Sequence, residues 1–351
     1  MREADFDRAI ALTERMAPDL RTIPDILLIR DYYTADAAGR AAVLAEIRDD
    51  KRTGVLWAAL HLADLFGTVD HSTRIVEALP PRTNGEGAFA AAILAMFEAS
   101  RGRLAAAESH IADLMRIDAA LAHVLRAGFA MTPFIRVTDA ELRAIRAAIV
   151  QTDSVVPPGT DEYSPALIAP LSRIYTIGAL SARLGELDEA RARAAQLDSV
   201  RVPATWRGYA STLARSLRAR IAIAEDRPAA ALRLLETVEV LRPPDVGSTP
   251  ADIDRYLRIE LLLHAGRPAE ALQWLDHGLE LAGSVAYGAR PIYHAIGHVR
   301  RAEALEQLGN DDEAIAAYTR FLELWRDADP EYDDLMRSVR QRRDALLSKG
   351  G

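Results

Sequence analysis

Apolar positions near the C-terminal end of the chain follow a helical period. Between His298 and Pro330 they form two short amphipathic segments that meet at Gly309 and Asn310. In the second segment the apolar stripe steps by four, three and four residues, through Ala314, Tyr318, Phe321 and Trp325. Residues at these spacings lie on one face of an α-helix and need a surface to pack against. The pattern therefore predicts a helix hairpin that is buried against its neighbours.

The joint between the two segments contains residues that end one helix and begin the next. Gly309 can adopt the positive φ that closes a helix C-terminus. Asn310, followed three residues later by Glu313, is typical of an N-terminal capping box. Pro330 is expected to end the second helix because it has no N–H group to donate to the helical ladder.

The same pattern recurs upstream at a spacing of roughly 40 residues, which is characteristic of helical repeat proteins. A small residue inside each second helix gives the register, at Ala190, Ala231, Ala271 and Ala314. Fainter copies lie around Ala107 and at Thr138, where Thr138 and Glu141 form a second capping pair. No segment shows sustained period-two alternation, so we expect almost no strand. We predict an all-α fold, a right-handed solenoid of antiparallel helix pairs.

The predicted array has two parts that differ in regularity. Residues 1–155 are expected to form divergent N-terminal helical repeats, and residues 166–348 to form regular C-terminal repeats. A Pro-rich stretch at 155–165 separates the two parts. The similar stretches at 80–87 and 243–250 are expected to be loops along one edge of the solenoid rather than domain linkers.

The N-terminal segment Asp5–Ala17 has the pattern of a second helix whose first helix is missing. The array is therefore predicted to begin mid-repeat. Either apolar surface is exposed at this end, or something else covers it. Exposed apolar surface favours association, so we expect self-association through the N-terminal end, with Phe6 and Ile10 at the contact.

Composition narrows the class of protein. Half of the 351 residues are apolar, and the abundance of Leu and Ala favours helices. The absence of cysteine excludes a disulfide framework and a thiolate metal site. The formal net charge of −8 argues against direct nucleic-acid binding, which needs a basic face. No apolar run is long enough for membrane insertion and the N-terminus does not have the pattern of a secretory signal, so we expect a cytoplasmic protein.

No residue pattern points to catalysis, a metal or a cofactor. His294 and His298 lie one helical turn apart, but no catalytic carboxylate stands between them and no third ligand is marked. Asp311 and Asp312 are placed at a helix N-terminus, where carboxylates favour the helix dipole, so a capping role is preferred to acid–base chemistry. We predict that the protein is not an enzyme and has no cofactor and no metal site.

The segment from Tyr293 to Glu331 resembles a known family. Its most telling stretches are HVRRAEALEQLG and RFLELWRDADPE. They are similar to the last tetratricopeptide repeats that follow Ser/Thr protein-kinase or winged-helix regulator domains in some bacteria. The resemblance implies a tetratricopeptide-like superhelix that binds a protein or peptide partner in bacterial signalling. The chain has no glycine-rich phosphate loop and no HRD or DFG motif, so its signalling role would be that of a partner and not of the kinase.

Two functions remain open. The first is a non-catalytic protein–protein interaction scaffold that binds a partner segment on its concave face. Six residues are predicted to make that contact: Arg173, Tyr175, Arg220, Arg255, Tyr256 and Glu260. Their arginines and tyrosines suit an acidic or aromatic guest, since both residue types are common interface anchors. The alternative is a ligand-sensing regulatory module of a kinase or transcriptional regulator, with the ligand bound between the two parts near residues 157–165.

Overall fold

The computed structural model describes residues 31–32, 34–49, 69–79, 85–152, 168–236, 249–280 and 290–349. Within these ranges every regular element is a helix and none is a strand. The α-helices are α1 (Ala37–Asp49), α2 (Val69–Ala78), α3 (Gly85–Ser100), α4 (Leu104–Ile117), α5 (Ala119–Met131), α6 (Asp139–Gln151), α7 (Ile168–Arg183), α8 (Leu187–Ser199), α9 (Ala204–Ala224), α10 (Pro228–Glu236), α11 (Thr249–His264), α12 (Pro268–Glu280), α13 (Arg290–Gln307), α14 (Asp311–Leu324) and α15 (Asp333–Lys349). A 3-10 turn, Pro330–Tyr332, precedes α15. The predicted all-α class and the antiparallel helix pairs are confirmed in these residues.

Contacts divide the chain into two compact units. The first contains α1 to α4 together with residues 290–294 and 327–329, and the second contains α5 to α12, the rest of α13, α14 and α15. In the first unit α1 packs on α2, α2 on α3 and α3 on α4. In the second unit each helix from α7 to α12 packs on the next, and α9 also contacts both α7 and α11. Stacked helix hairpins therefore build the second unit, and their first helices touch one another.

Several predictions from the sequence fall on segments outside the described residues. These are the half-repeat Asp5–Ala17, the Pro-rich stretch at 155–165, and most of the stretches at 80–87 and 243–250. The division at residues 155 and 166 and the self-association through the N-terminal end therefore stay predictions. Gly85 and Pro250 are described, and each lies in the first turn of a helix, α3 and α11.

Five hairpin turns share one backbone design. One residue in each turn adopts a positive φ, and the N–H group of the next residue donates to a carbonyl five residues back. In the turn between α13 and α14, for example, the Asn310 N–H donates to the Leu305 carbonyl over 2.9 Å. The residues with positive φ are Gly102 (72°), Gly185 (75°), Asp226 (55°), Gly266 (68°) and Gly309 (78°). The conformation predicted for Gly309 is confirmed, and Asp226 adopts it without being glycine.

One predicted capping box is present and the other is absent. The Glu141 N–H donates to Thr138 Oγ1, and the Thr138 N–H donates to Glu141 Oε2 over 2.8 Å, so the box at the start of α6 is confirmed. Asn310 makes no side-chain capping hydrogen bond. Its backbone, with φ −89° and ψ 65°, lacks the extended conformation from which an N-cap side chain reaches the N–H groups of the first turn. The capping box at Asn310 was therefore a wrong prediction.

Small residues allow the helices to pack closely. The four alanines that set the repeat register, Ala190, Ala231, Ala271 and Ala314, are fully buried, as is Ala107 of the fainter copy. Gly178 on α7 has the tightest position, because a Cβ atom there would lie 2.4 Å from Leu217 Cδ2 on α9. The side chains of α9 thus rest directly on the backbone of α7.

The apolar stripe of α14 is buried as predicted. Tyr318 and Phe321 are inaccessible to solvent, and Trp325 is nearly so. The Trp325 ring lies 5.0 Å from the Phe321 ring and 4.8 Å from the Tyr332 ring, measured between centroids. The 3-10 turn that carries Tyr332 therefore closes this aromatic cluster at the end of α14.

Candidate partner-binding site

Tyrosine and arginine side chains link neighbouring helices of the second unit in a repeated arrangement. We call these contacts the Tyr–Arg pairs: Tyr175 with Arg220, Tyr256 with Arg300, and Tyr318 with Arg342. The guanidinium carbons lie 5.7, 5.6 and 5.4 Å from the respective ring centroids, within the range of a cation–π contact. In the first two pairs the partners are 45 and 44 residues apart, which is about one repeat. These pairs therefore join the first helix of one hairpin to that of the next.

The first pair belongs to a buried hydrogen-bond chain across α7, α9 and α11. Arg220 Nε donates to Tyr175 Oη over 2.7 Å, and Ser216 Oγ donates to Asp254 Oδ1 over 2.7 Å. Because serine has a single hydroxyl proton, the 2.9 Å contact between Tyr175 and Ser216 must be donated by Tyr175. Each hydroxyl group in the chain thus donates once and accepts once.

Burial raises the pKa values of two groups in this series of hydrogen bonds, Tyr175 and Asp254. It raises the pKa of Tyr175 to about 12, so the phenol keeps its proton. It also raises the pKa of Asp254 to about 6, although Arg220, Ser216 and Arg258 act in the opposite direction. Arg258 is itself buried, and its guanidinium carbon lies 3.9 Å from the Trp274 ring centroid. Asp254 is therefore a carboxyl group whose charge the fold tolerates only with help from neighbouring donors.

The second and third pairs are joined by alternating carboxylates and guanidinium groups, which we call the Glu–Arg ladder: Glu260, Arg300, Glu303, Arg342 and Glu306. Arg300 donates to Glu260 over 2.5 Å and to Glu303 over 2.7 Å. Arg342 donates to the other oxygen of Glu303 over 2.7 Å and to Glu306 over 2.9 Å. The ladder thus connects α11, α13 and α15.

Two tyrosine hydroxyl groups close the ends of this ladder. Tyr256 Oη donates to Glu260 Oε1 over 2.9 Å, and Tyr318 Oη donates to Glu306 Oε2 over 3.0 Å. Burial, followed by the negative charge of Glu260, raises the pKa of Tyr256 well above its usual value. Both tyrosines therefore stay protonated and act as donors to the ladder.

The turn after α5 also reaches Tyr256. The Phe134 ring meets the Tyr256 ring edge to face, with 5.5 Å between centroids. Arg183 on α7 holds this turn, because it donates to the carbonyls of Thr132 over 3.0 Å and Ile135 over 2.6 Å. The turn after α5 thus packs on α11.

The structure gives the six predicted contact residues different surroundings. Tyr175 and Tyr256 are buried, at 0% and 3% exposure, and the side chain of Arg220 is 10% exposed. Arg173 donates to the carbonyls of Ile149 and Val150 at the end of α6, so its side chain caps that helix. Arg255 is half-buried. Their predicted role in partner binding stays a prediction. Each of Arg173, Tyr175, Arg220, Tyr256 and Glu260 also bonds to a residue of another helix.

Among the six predicted contact residues, Glu260 lines an open pocket of about 520 Å³. This turn-end pocket lies at the C-terminal ends of α9, α11 and α13, beside the turn that contains Asp226. Its lining consists of Ile223, Asp226, Pro228, Glu260, Leu261, Leu263, His264, Arg300, Glu303, Gln307 and Arg342. Three successive hairpins and α15 therefore contribute to one cavity.

Several polar groups of the turn-end pocket are free to receive a guest. Asp226, His264 and Gln307 are exposed, and within the described ranges their side chains make no hydrogen bond or ion pair. Glu260 uses Oε1 for both of its partners, Tyr256 and Arg300. Its second oxygen, Oε2, has no partner in the described part of the chain. The pocket thus offers unsatisfied acceptors beside apolar side chains.

Sequence reasoning missed Arg300, Arg342 and Asp226 as parts of this site. The signal for Arg300 was its spacing, since it follows Tyr256 by the same interval, about one repeat, that separates Arg220 from Tyr175. Asp226 stands where the other turns have glycine. A repeat alignment by turn position would have singled out both residues.

Two kinds of structural feature are absent from the described residues. Across these residues, no three His, Cys, Asp or Glu side chains are grouped so that they could hold a metal ion. Across the same ranges, no helix combines the length and the apolar character that crossing a bilayer requires.

Comparison with known proteins finds a structural similarity. A scan of protein-family models finds no match to the chain, and a search of curated proteins finds none either. Among solved structures, the chain is similar to a crystal structure of the P58(IPK) TPR domain, with 16% sequence identity and a TM-score of 0.32 over 99% of each chain. At this TM-score the similarity carries no argument, so the repeat architecture rests on the helices and turns of the chain itself.

Proposed function

We propose that this protein is a non-catalytic interaction scaffold that binds a segment of a partner protein on the first helices of its second unit. The observation that supports this function is the turn-end pocket, which combines a volume of about 520 Å³ with free polar groups and apolar walls. Binding energy at protein interfaces is concentrated in a few side chains that fill pockets on the other protein.

The side chains that line the pocket are already held in place in the unbound protein. Arg300 and Arg342 are each fixed by carboxylates from other helices, and Tyr256 is fixed behind them. A preorganised site loses less conformational entropy on binding than a flexible one. We assign Glu260 to direct contact with the partner, and Arg173, Tyr175, Arg220 and Tyr256 to the framework that positions the contacting surface.

The resemblance of residues 293–331 to tetratricopeptide regions of bacterial kinases and winged-helix regulators suggests where such a scaffold would act. We propose that the partner belongs to a bacterial signalling pathway. In that setting the protein would supply docking and the partner would supply catalysis or DNA binding.

The proposed function is tested by selecting random linear peptides displayed on phage against the full chain. We expect selected peptides to bind less tightly to an Ile223→Ala variant, by about tenfold, because Ile223 lines the pocket and is exposed. The matched control is Leu347→Ala, which removes an equally large exposed side chain from α15 outside the pocket lining. Peptides that bind both variants as tightly as the unchanged protein would contradict the function.

A further inference from the structure

The turn-end pocket has more negative than positive groups once its internal pairs are counted. Three carboxylates of the Glu–Arg ladder, Glu260, Glu303 and Glu306, face two guanidinium groups, Arg300 and Arg342. Asp226 adds a carboxylate that has no ion pair among the described residues. The pocket and the ladder behind it therefore carry an excess of negative charge.

The two arginines of the pocket are not available to an anionic guest. Arg300 donates to Glu260, Glu303 and the Tyr256 hydroxyl, and Arg342 donates to both Glu303 and Glu306. An acidic side chain could engage them only by displacing carboxylates that are already in place. The acidic or aromatic guest expected from the sequence rested on three other arginines, Arg173, Arg220 and Arg255, and it stays a prediction. Of these, Arg173 donates to backbone carbonyls and Arg220 donates to Tyr175.

The free groups favour a cation instead. Glu260 Oε2 and both oxygens of Asp226 are acceptors without a partner in the described residues, and Gln307 offers an amide oxygen in the same cavity. Apolar side chains of Ile223, Pro228 and Leu263 lie in the same lining. Lysine and arginine have this combination, because each carries a charged head on an apolar stem.

We propose that the turn-end pocket recognises a lysine or arginine side chain in the partner segment. Glu260 and Asp226 receive the cationic head, and the stem lies along Ile223 and Pro228. This inference rests on the proposed function, since it specifies the chemistry of the partner at the same pocket. The formal net charge of −8 adds a long-range attraction for basic segments, which speeds encounter without setting the site of contact.

The test uses peptides selected on phage against the full chain, made synthetically together with copies in which every Lys and Arg is replaced by Gln. Binding is measured by fluorescence polarisation at low and at physiological salt. We expect the Gln copies to bind at least about tenfold more weakly, because charge-assisted hydrogen bonds to the pocket are lost.

Two substitutions distinguish binding at the pocket from attraction by the net charge of the protein. Asp226→Asn keeps the side-chain shape and tolerates the positive φ, so the turn is preserved. It is expected to weaken binding about fivefold, whereas Asp312→Asn removes an exposed carboxylate outside the pocket and is expected to change little.

A charge series at Gln307 supplies the second test, since this side chain is exposed and has no partner in the described ranges. Gln307→Glu should strengthen binding and Gln307→Lys should weaken it, each by about threefold to tenfold. Equal effects of both changes, or tight binding of the Gln copies, would overturn the cationic guest. If the selected peptides fail these tests but still bind the Ile223→Ala variant more weakly than the unchanged protein, the scaffold function stands. If no peptide depends on Ile223, the scaffold function itself is wrong.

Discussion

A single turn residue distinguishes the hairpin α9–α10 from the other hairpins. Asp226 has φ 55°, a region that side chains with a Cβ atom enter at a cost, while the equivalent residues in four other turns are glycines. We expect Asp226→Gly to raise the free energy of unfolding by about 0.5 kcal/mol, less than the strain itself because glycine is more flexible in the unfolded chain. Urea titration followed by circular dichroism measures the change.

The converse substitution provides the control for this prediction. Gly266 occupies the same place in the hairpin α11–α12, with φ 68° and nothing within 4 Å of where a Cβ atom would lie. Gly266→Asp should therefore lower the free energy of unfolding by about 1 kcal/mol. Changes of the same sign in the two variants would contradict the strain at Asp226.

A second effect at the scale of one residue concerns Asp254 and pH. Burial raises its pKa to about 6 in the folded protein, above the value of about 4 for an unfolded aspartate. The folded state therefore binds the proton more tightly. The stability that this group contributes is present below about pH 4 and is lost as pH rises through about 6. The full difference corresponds to at most about 3 kcal/mol.

Asp254→Asn removes this titration and leaves a group that can still accept from Ser216. The unchanged protein should therefore lose stability relative to Asp254→Asn between about pH 4 and 7, by up to about 3 kcal/mol. Urea titrations of both proteins across this range measure the difference, with Asp312→Asn as the exposed control. A difference that stays constant with pH would show that Asp254 is not a buried titrating group.

The close packing of α9 on α7 predicts the effect of a substitution at Gly178. A methyl group there would meet Leu217 at 2.4 Å and Arg193 Cβ at 3.0 Å, and Leu217 is fully buried. Gly178→Ala should lower the free energy of unfolding by about 1–3 kcal/mol, the usual cost of overpacking. Gly208 on α9 has nothing within 4 Å, so Gly208→Ala should instead stabilise the protein by up to about 1 kcal/mol. Thermal melts of both variants test the contact, and a stabilising Gly178→Ala would argue against it.

Local patterns at the scale of an element could be predicted, and contacts between elements could not. The stripe of Tyr318, Phe321 and Trp325 and the positive φ at Gly309 depend on neighbouring residues, so periodicity and turn chemistry sufficed. Tyr175 and Tyr256 also lie on helices, but their partners are a whole repeat away. A tyrosine that faces the next hairpin has the same sequence signature as one that faces solvent.

The charge of the candidate site also depended on contacts that the sequence did not show. Glu260 was selected from repeat register alone, and it lines the turn-end pocket. Whether Arg220 and Arg300 carried free positive charge depended on their carboxylate partners. Asp254 for Arg220 and Glu260 for Arg300 lie in other helices, and Glu303 lies one turn from Arg300 on α13. The sign of the pocket therefore followed from pairing in three dimensions and not from the residue types on one helix.

The second unit as a whole should behave as a chain of nearest neighbours, as repeat arrays do. The Tyr–Arg pairs provide a test, because the described hydrogen bonds of Tyr175 and those of Tyr256 go to different side chains, Ser216 and Arg220 for the first and Glu260 and Arg300 for the second. Tyr175→Phe and Tyr256→Phe each leave buried donors or acceptors without a partner. Each should lower the free energy of unfolding by about 1–3 kcal/mol.

If coupling is limited to neighbours, the double variant Tyr175→Phe and Tyr256→Phe should equal the sum of the single variants within about 0.5 kcal/mol. The control is a second double variant, Tyr256→Phe with Arg300→Met, at two residues in direct contact. Arg300 donates to the Tyr256 hydroxyl group over 2.9 Å. That double variant should deviate from the sum by more than about 0.5 kcal/mol, because the second change acts on an interaction already lost. Urea titrations of the six proteins give both cycles. A deviation for the distant pair as large as that of the contact pair would mean that the hairpins respond as one cooperative body.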